Sequence, residues 1–149
     1  MSKTLKEQVL LEDLNDEELA KISKIIQKLK FKKGEHIFKE KDKTKGLYLI
    51  KSGQVEIAKV TPDGWKQTLA VFTKGHFFGE LSILENRQHK AFAVATENTE
   101  VFLIGKEDFE KMEREISPIA FKILKKLALV MCKNLRRMND KFLNALISY

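Results

Sequence analysis

Residues 77–96 read FFGELSILENRQHKAFAVAT. The stretch opens with Gly79, Glu80 and Leu81, continues through a polar run, and ends in alternating apolar and small residues. Glycine removes side-chain bulk where a bound molecule must approach the backbone, and the amides of a first helical turn attract anions. The stretch therefore predicts a loop that holds an anion, although the residue that would meet the anion with a positive charge is harder to identify.

The composition bounds the class of protein. The chain has 149 residues, the size of one ordinary domain, and 43% of them are apolar, enough for one core. Its net charge of +7 permits nucleic-acid, phosphate or acidic membrane partners but requires none of them. The one cysteine, Cys132, excludes an internal disulfide and is predicted to be a small buried side chain. With no secretion signal and no membrane span in the sequence, we expect a cytoplasmic protein.

The elements on either side of the opening stretch can be predicted from periodicity. Asn15 can cap a helix and Glu18 can complete a capping box, with apolar residues at helical spacing until about residues 28–30. Short alternating runs separated by glycine turns then indicate a sandwich or barrel rather than a parallel sheet. The predicted strands are 36–38, 47–51, 54–61, 65–73, 91–96 and 100–104, followed by helices over 106–115 and from 117 to the chain end.

The last helix has an apolar seam at alternating spacings of three and four residues, which is typical of a coiled coil. Its members are Phe121, Leu124, Ala128, Met131, Leu135, Met138, Phe142, Ala145 and Tyr149. The seam predicts a homodimer, and the alternative is a helix that lies wholly on its own domain. A second stripe is predicted to pack on the strands: Ala120, Ile123, Leu127 and Val130. The basic residues of this helix form either a solvated face or a patch for an acidic partner.

Three motifs together resemble the cyclic nucleotide-binding domain family. They are GEHIFKEKD at residues 34–42, LYLIKSGQVEI at 47–57 and FGELSIL at 78–84. The resemblance implies a mainly β fold, a jelly roll or double-stranded β-helix, with an N-terminal helix and a long C-terminal helix. It divides the chain into an extension over 1–13, the jelly roll over 14–115 and a dimerisation or lid helix over 116–149. Lys41 stands where the family usually has glycine, and an ordinary turn is expected there.

The resemblance also implies a ligand, a cyclic mononucleotide, with cAMP favoured over cGMP. Glu80 would accept the ribose 2′-hydroxyl, or else it is only a carboxylate placed favourably at a helix start. Gly79, Leu81 and Ser82 would offer backbone amides to the cyclic phosphate. Ser82 could instead serve as a cap. No catalytic set and no metal cluster are visible, so neither an enzyme nor a cofactor is expected.

The phosphate-binding arginine of the family has no clear counterpart here. The bacterial spacing places Lys90 at its position, a shorter spacing places His89 there, and Arg87 comes too early, on a predicted outer turn. Ala91 replaces the small hydroxyl residue that often follows. Lysine lacks the two-point grip of arginine, and this loss together with that of the hydroxyl is expected to weaken binding by about ten- to a thousandfold. The alternatives are that Lys90 is an exposed loop residue and that His89 lies at the surface.

The sequence is compatible with three functions. The first is a non-enzymatic module that binds a cyclic nucleotide, with Asn139 of the last helix contacting the base edge or merely flanking the seam. The second is a degenerate domain that serves as a dimerisation or interaction module for an unknown effector protein. The third is a fragment of a transcription regulator, and DNA binding is not favoured because a helix-turn-helix would have to follow the last helix.

Overall fold

The computed structural model describes residues 2–115 and 117–148, so Ile116 and Tyr149 lie outside the described residues. Within these residues five α-helices flank eight strands. The helices are α1 Ser2–Lys6, α2 Asp16–Ile25, α3 Glu80–Leu84, α4 Lys106–Arg114 and α5 Pro118–Ile147, and a 3-10 turn spans Val9–Leu11. The strands are β1 Gln27–Phe31, β2 His36–Phe38, β3 Gly46–Ser52, β4 Gln54–Val60, β5 Lys66–Thr73, β6 Phe77–Phe78, β7 Phe92–Ala95 and β8 Thr99–Gly105.

The strands form two four-stranded sheets with the orders β1-β8-β3-β6 and β2-β7-β4-β5. Every pairing between neighbouring strands is antiparallel. One apolar cluster contains residues of both sheets, including Phe38 of β2, Tyr48 of β3 and Val55 of β4. The predicted mainly β jelly roll with an N-terminal helix and a long C-terminal helix is thus confirmed, and the six predicted strands correspond to β2–β5, β7 and β8.

A second apolar cluster covers the other face of the first sheet. Leu47 and Leu49 of β3 belong to this cluster, whereas Tyr48 and Ile50 belong to the cluster between the sheets. Successive side chains of a strand point to opposite faces, so β3 is buried on both. A strand with water on one side would alternate in hydrophobicity, and the unbroken LYLI run reflects this double burial.

The sequence predicted that α2 would reach residues 28–30. This prediction is wrong, because α2 ends at Ile25. Its start is as predicted: Asn15 Oδ1 accepts from the Glu18 amide at 2.9 Å, and Glu18 Oε1 accepts from the Asn15 amide at 3.0 Å. Residues beyond Ile26 instead form β1, which pairs with β8 along its whole length. The open edge of β8 needs a partner for its backbone groups, and that requirement outweighs the helical spacing of Leu29.

The N-terminal segment is part of the core. Leu5, Leu10 and Leu11 are fully buried, and Lys126 of α5 bonds the carboxylate of Glu12 at 2.6 Å. The first half of α5 shares one apolar cluster with Leu47 and Leu49 of β3, which agrees with the predicted packing on the strands, and it also contacts the 3-10 turn and α4. The domain boundary at residue 13 stays a prediction.

The last helix buries most of its second stripe and leaves its described seam residues beyond Leu124 exposed. Ala120, Ile123 and Leu127 are at most 3% exposed. The predicted burial of Cys132 is wrong, since its side chain is exposed on α5. The second half of the helix extends past the core of its own domain, and residues 131–148 are all exposed.

Lys41 does not adopt the ordinary turn that we expected. Its φ is +75°, in the left-handed region that favours glycine. The turn is held by the Lys39 amide, which donates to Asp42 Oδ2 at 2.9 Å, and by the Lys41 amide, which donates to the His89 carbonyl at 2.8 Å. These bonds hold Lys41 in a conformation that glycine would adopt without strain.

We therefore expect Lys41→Gly to raise the free energy of unfolding by up to about 1 kcal/mol, because relief of left-handed strain exceeds the added entropy of the unfolded chain. Urea denaturation measures the change. Lys43→Gly is the matched control in the same loop, since Lys43 has a negative φ, and it should lower stability instead. A decrease for Lys41→Gly equal to that of the control would contradict the strain.

Candidate functional site

A cavity of about 340 Å³ opens between α3, the loop that follows it, and the β4–β5 hairpin. Six of the seven residues predicted from the sequence line it: Gly79, Glu80, Leu81, Ser82, Lys90 and Ala91. The volume lies within the range of small-molecule sites in proteins. The structure thus brings the predicted loop residues together around one space, while their roles toward a ligand stay predictions.

Gly79 sets the start of α3 close to the core. Its φ is +89°, and a Cβ there would lie 3.2 Å from the Gly46 carbonyl oxygen and 3.3 Å from Cδ2 of Tyr48. The short strand β6 immediately before it pairs with β3, and this pairing was not predicted. Glycine is therefore required by the close packing of the loop against β3 as well as by any ligand.

Glu80 is a partly buried carboxylate with no ion-pair partner among the described side chains. Burial raises the pKa of its carboxyl, and a hydrogen bond from its own backbone amide opposes the rise. Other carboxylates on this protein pair with lysines, for example Glu18 with Lys122 at 2.6 Å. A buried acceptor that faces a cavity without such a partner is suited to a hydroxyl of a ligand.

Three cationic side chains line the same cavity: Lys59 of β4, Arg87 and Lys90. The sequence predicted Arg87 on an outer turn, and the structure places it exposed on the turn after α3, where it also lines the cavity. Its amide donates to the Ser82 carbonyl at 3.1 Å, which folds the loop back over α3. Its Nη2 also lies 2.7 Å from Glu85 Oε1, in a pair whose side chains are both almost half exposed. Such exposed pairs contribute little and can exchange partners easily.

His89 is buried, contrary to the expectation of a surface residue. It is 4% exposed, and its ring stacks on Phe38 with centroids 3.5 Å apart. Its Nδ1 lies 2.8 Å from Ser82 Oγ. Burial lowers the pKa of His89, and the charge of Asp42 partly opposes that shift. The sequence carried no signal for this position, because His89 lies within the polar run of residues 85–90.

The remaining wall of the cavity is apolar and was not anticipated. It consists of Phe38, Ile57, Leu69, Phe72 and Phe78. Alternation puts Ala70 and Phe72 on one face of β5, and Leu69, which the register shift at Ile57 and Ala58 leaves without a partner in β4, also lines the cavity. That this face meets α3 follows only from the pairing of β4 with both β5 and β7. The cavity therefore has an apolar side and a charged side, as a ligand with a flat base and an anionic group would require.

Asn139 does not join this site within the chain. It is exposed on the second half of α5 and is not among the residues that line the cavity. Its predicted contact with a base stays a prediction. Across residues 2–115 and 117–148 the structure shows no cluster of metal ligands and no helix long and apolar enough to cross a membrane.

Comparison with known proteins places the chain in a class. Residues 28–115, more than half of the chain, match the cyclic nucleotide-binding domain family, and the chain belongs to this family. It is 32% identical over 119 residues to the cyclic AMP receptor protein of Thermus thermophilus, across 80% of this chain and 55% of that protein. It is also 32% identical over 108 residues to the cAMP-dependent protein kinase regulatory subunit of Emericella nidulans, across 72% and 26% respectively.

A solved structure agrees with this membership. The crystal structure of Thermus thermophilus catabolite activator protein superposes with a TM-score of 0.77 at 30% identity, over 91% of this chain and 62% of that one. The chain spans about half, or less, of the length of these two curated relatives. What the whole relatives do beyond this domain is therefore not carried over as a finding.

The close approach at Gly79 leads to a prediction about stability. Gly79→Ala should lower the free energy of unfolding by more than the roughly 1–2 kcal/mol that a left-handed alanine costs by itself, because the new methyl group also meets β3. Gly64→Ala is the matched control: its φ is +88°, and a Cβ there has nothing within 4 Å. Urea denaturation of both variants measures the difference, and equal losses would show that the packing at Gly79 is unimportant.

Proposed function

We propose that this chain is a non-enzymatic regulatory module that binds a cyclic mononucleotide, with cAMP preferred over cGMP. The observation that carries the proposal is the cavity itself, which joins an apolar wall to an unpaired carboxylate and three cations. Membership of the cyclic nucleotide-binding domain family supports it, as does the similarity to a cyclic AMP receptor protein and to a cAMP-dependent protein kinase regulatory subunit.

Each part of the ligand has a matching part of the site. The carboxylate of Glu80 accepts the ribose 2′-hydroxyl proton, and the apolar wall holds the base. The cyclic phosphate lies against the first-turn amides of Leu81 and Ser82 and near Lys90. Ala91 adds no hydroxyl donor, but Arg87 lines the cavity and can leave Glu85 for the phosphate. The affinity loss expected from a lone lysine is thereby reduced.

An apolar cluster connects the site to the last helix. Ile83 of α3 is buried in the apolar cluster that also contains Ile123 and Leu127 of α5. A ligand that restricts the motion of α3 therefore changes the packing of the apolar cluster to which α5 belongs. A nucleotide with different affinities for two poses of α5 shifts the population between them.

Calorimetric titration of cAMP and cGMP tests the binding. Glu80→Gln should weaken cAMP binding by roughly ten- to a hundredfold, since a charge-assisted hydrogen bond is worth about 1.5–3 kcal/mol. Arg87→Gln and Lys90→Gln should each weaken it several-fold. Lys33→Gln is the charge-matched control, because Lys33 is exposed and does not line the cavity.

Two outcomes would count against this proposal. The proposed nucleotide binding would be contradicted if neither nucleotide gave saturable heat at millimolar concentration at any pH from 6 to 8. Equal effects of Lys33→Gln and Lys90→Gln would show that only the net charge of the protein matters. Thermal unfolding of each variant checks that the substitution left the fold intact.

The exposed seam of α5 favours a second role, self-association through this helix. Leu135, Met138 and Phe142 are 58%, 66% and 65% exposed, although they are large apolar residues. Such residues at heptad spacing are typical of a helix that meets a second helix. Leu124 is only partly exposed because it packs against the domain core, so the seam that is free for a partner begins beyond it.

A homodimer through this seam makes a mass prediction. The protein should be a dimer by light scattering, and Leu135→Glu should make it a monomer because a charge would enter the interface. Leu129→Glu is the matched control, since Leu129 is an equally exposed leucine of α5 outside the seam, and it should leave the mass unchanged. Spin labels on the single cysteine, Cys132, would report the distance between the two helices. A monomeric wild-type protein at high concentration would contradict the dimer.

A further inference from the structure

We propose that His89 is the titratable cation of this site, so that an anionic nucleotide binds together with a proton taken up by the imidazole ring. The inference rests on the proposed function, because it states how the same cavity responds to the charge of its ligand. Of the side-chain types that line the cavity, histidine is the one whose ordinary chemistry changes its charge near neutral pH.

The position of His89 is fixed by backbone hydrogen bonds and by contacts of its ring. Two backbone hydrogen bonds attach it to the β2–β3 loop: its amide donates to the Asp42 carbonyl at 2.9 Å, and its carbonyl accepts from the Lys41 amide at 2.8 Å. The ring is fixed between the face of Phe38 and the hydroxyl of Ser82. The strained conformation of Lys41 is part of the same arrangement. This ring lines the cavity and has little freedom to leave it.

The neutral ring is incompletely satisfied where it lies. Nδ1 is bonded to Ser82 Oγ, whereas Nε2 is buried without a hydrogen-bond partner among the described residues. Neutral imidazole has one donor and one acceptor nitrogen, so either tautomer leaves Nε2 unpaired. A buried polar atom without a partner destabilises the empty site. A bound anion removes this penalty where it accepts a hydrogen bond from Nε2, which the imidazolium donates while Nδ1 donates to Ser82 Oγ.

The charges around His89 decide its state in the empty cavity. Burial lowers the pKa of the ring, and the carboxylate of Asp42 across the β2–β3 loop raises it less. The charged groups that share the cavity lining with it are Glu80 of α3, Arg87 and Lys90 of the following loop, and Lys59 of β4. Three cations against one carboxylate disfavour a further positive charge. The ring is therefore neutral near pH 7 until an anion enters.

A phosphodiester in the cavity reverses this balance, because its negative charge stabilises the imidazolium. Ligand binding then raises the pKa of His89, and linkage requires that affinity rises as pH falls between the bound and free pKa values, by up to about tenfold per pH unit. Glu80 acts in the opposite direction, since its protonation removes the hydroxyl acceptor and burial raises its pKa. The gain should therefore be visible between pH 8 and 6 and should be lost at lower pH.

Titration of cAMP at pH 6, 7 and 8 into the wild-type protein and His89→Asn tests the proposal. The asparagine can keep a hydrogen bond to Ser82 but carries no titratable group. We expect the wild-type Kd to fall severalfold from pH 8 to 6 and the Kd of the variant to stay constant. His76→Asn is the matched control, since His76 is exposed outside the cavity lining, and it should retain the wild-type pH dependence.

Nuclear magnetic resonance of the unsubstituted protein gives a second readout. The chain has three histidines, and His36 and His76 are exposed internal references for the titration of His89. Saturating cAMP should raise the pKa of His89 alone. Saturable binding without that rise, and with the same pH dependence in His89→Asn, overturns the proposal but leaves nucleotide binding intact. No saturable binding at any of the three pH values overturns both.

Discussion

Burial of strand β3 on both faces is the constraint on which the rest of the structure depends. Its side chains belong alternately to the core between the sheets and to the core beneath the helices. Such a strand needs cover on each side, and the second sheet supplies one cover while the N-terminal segment, α4 and α5 supply the other. Because β6 pairs with β3, the same strand also fixes where α3 begins, and therefore where the cavity lies.

A row of stacked rings carries this order from the core to the site. Phe78 stacks on Tyr48 with centroids 5.0 Å apart, Phe38 lies near both, and His89 stacks on Phe38 at the cavity. Aromatic rings packed in this way hold their orientation, since rotation of one would disturb its neighbours. The site is thus positioned by rigid core residues, and the cationic residues at its rim are the adjustable part.

The sequence predicted those elements whose signal is local. The capping box of Asn15 and Glu18, six of the strands and the loop from Gly79 to Ser82 could be read from spacing and turn residues, and the structure places them as expected. Its errors concern residues whose environment is supplied by distant parts of the chain. Residues 27–31 form β1 at the edge of β8 instead of continuing the helix. Cys132 is exposed because α5 extends beyond its own domain.

The sequence by itself determined six of the strands, the family, and the presence of a loop with first-turn amides and one carboxylate, which we propose as the cyclic nucleotide site. Only the tertiary structure decided which positive groups accompany that loop. Arg87 lines the cavity because the loop folds back on Ser82. His89 is buried because Phe38, 51 positions earlier in the chain, packs against its ring. Burial and charge are set by contacts between distant residues, and local spacing carries no information about such contacts.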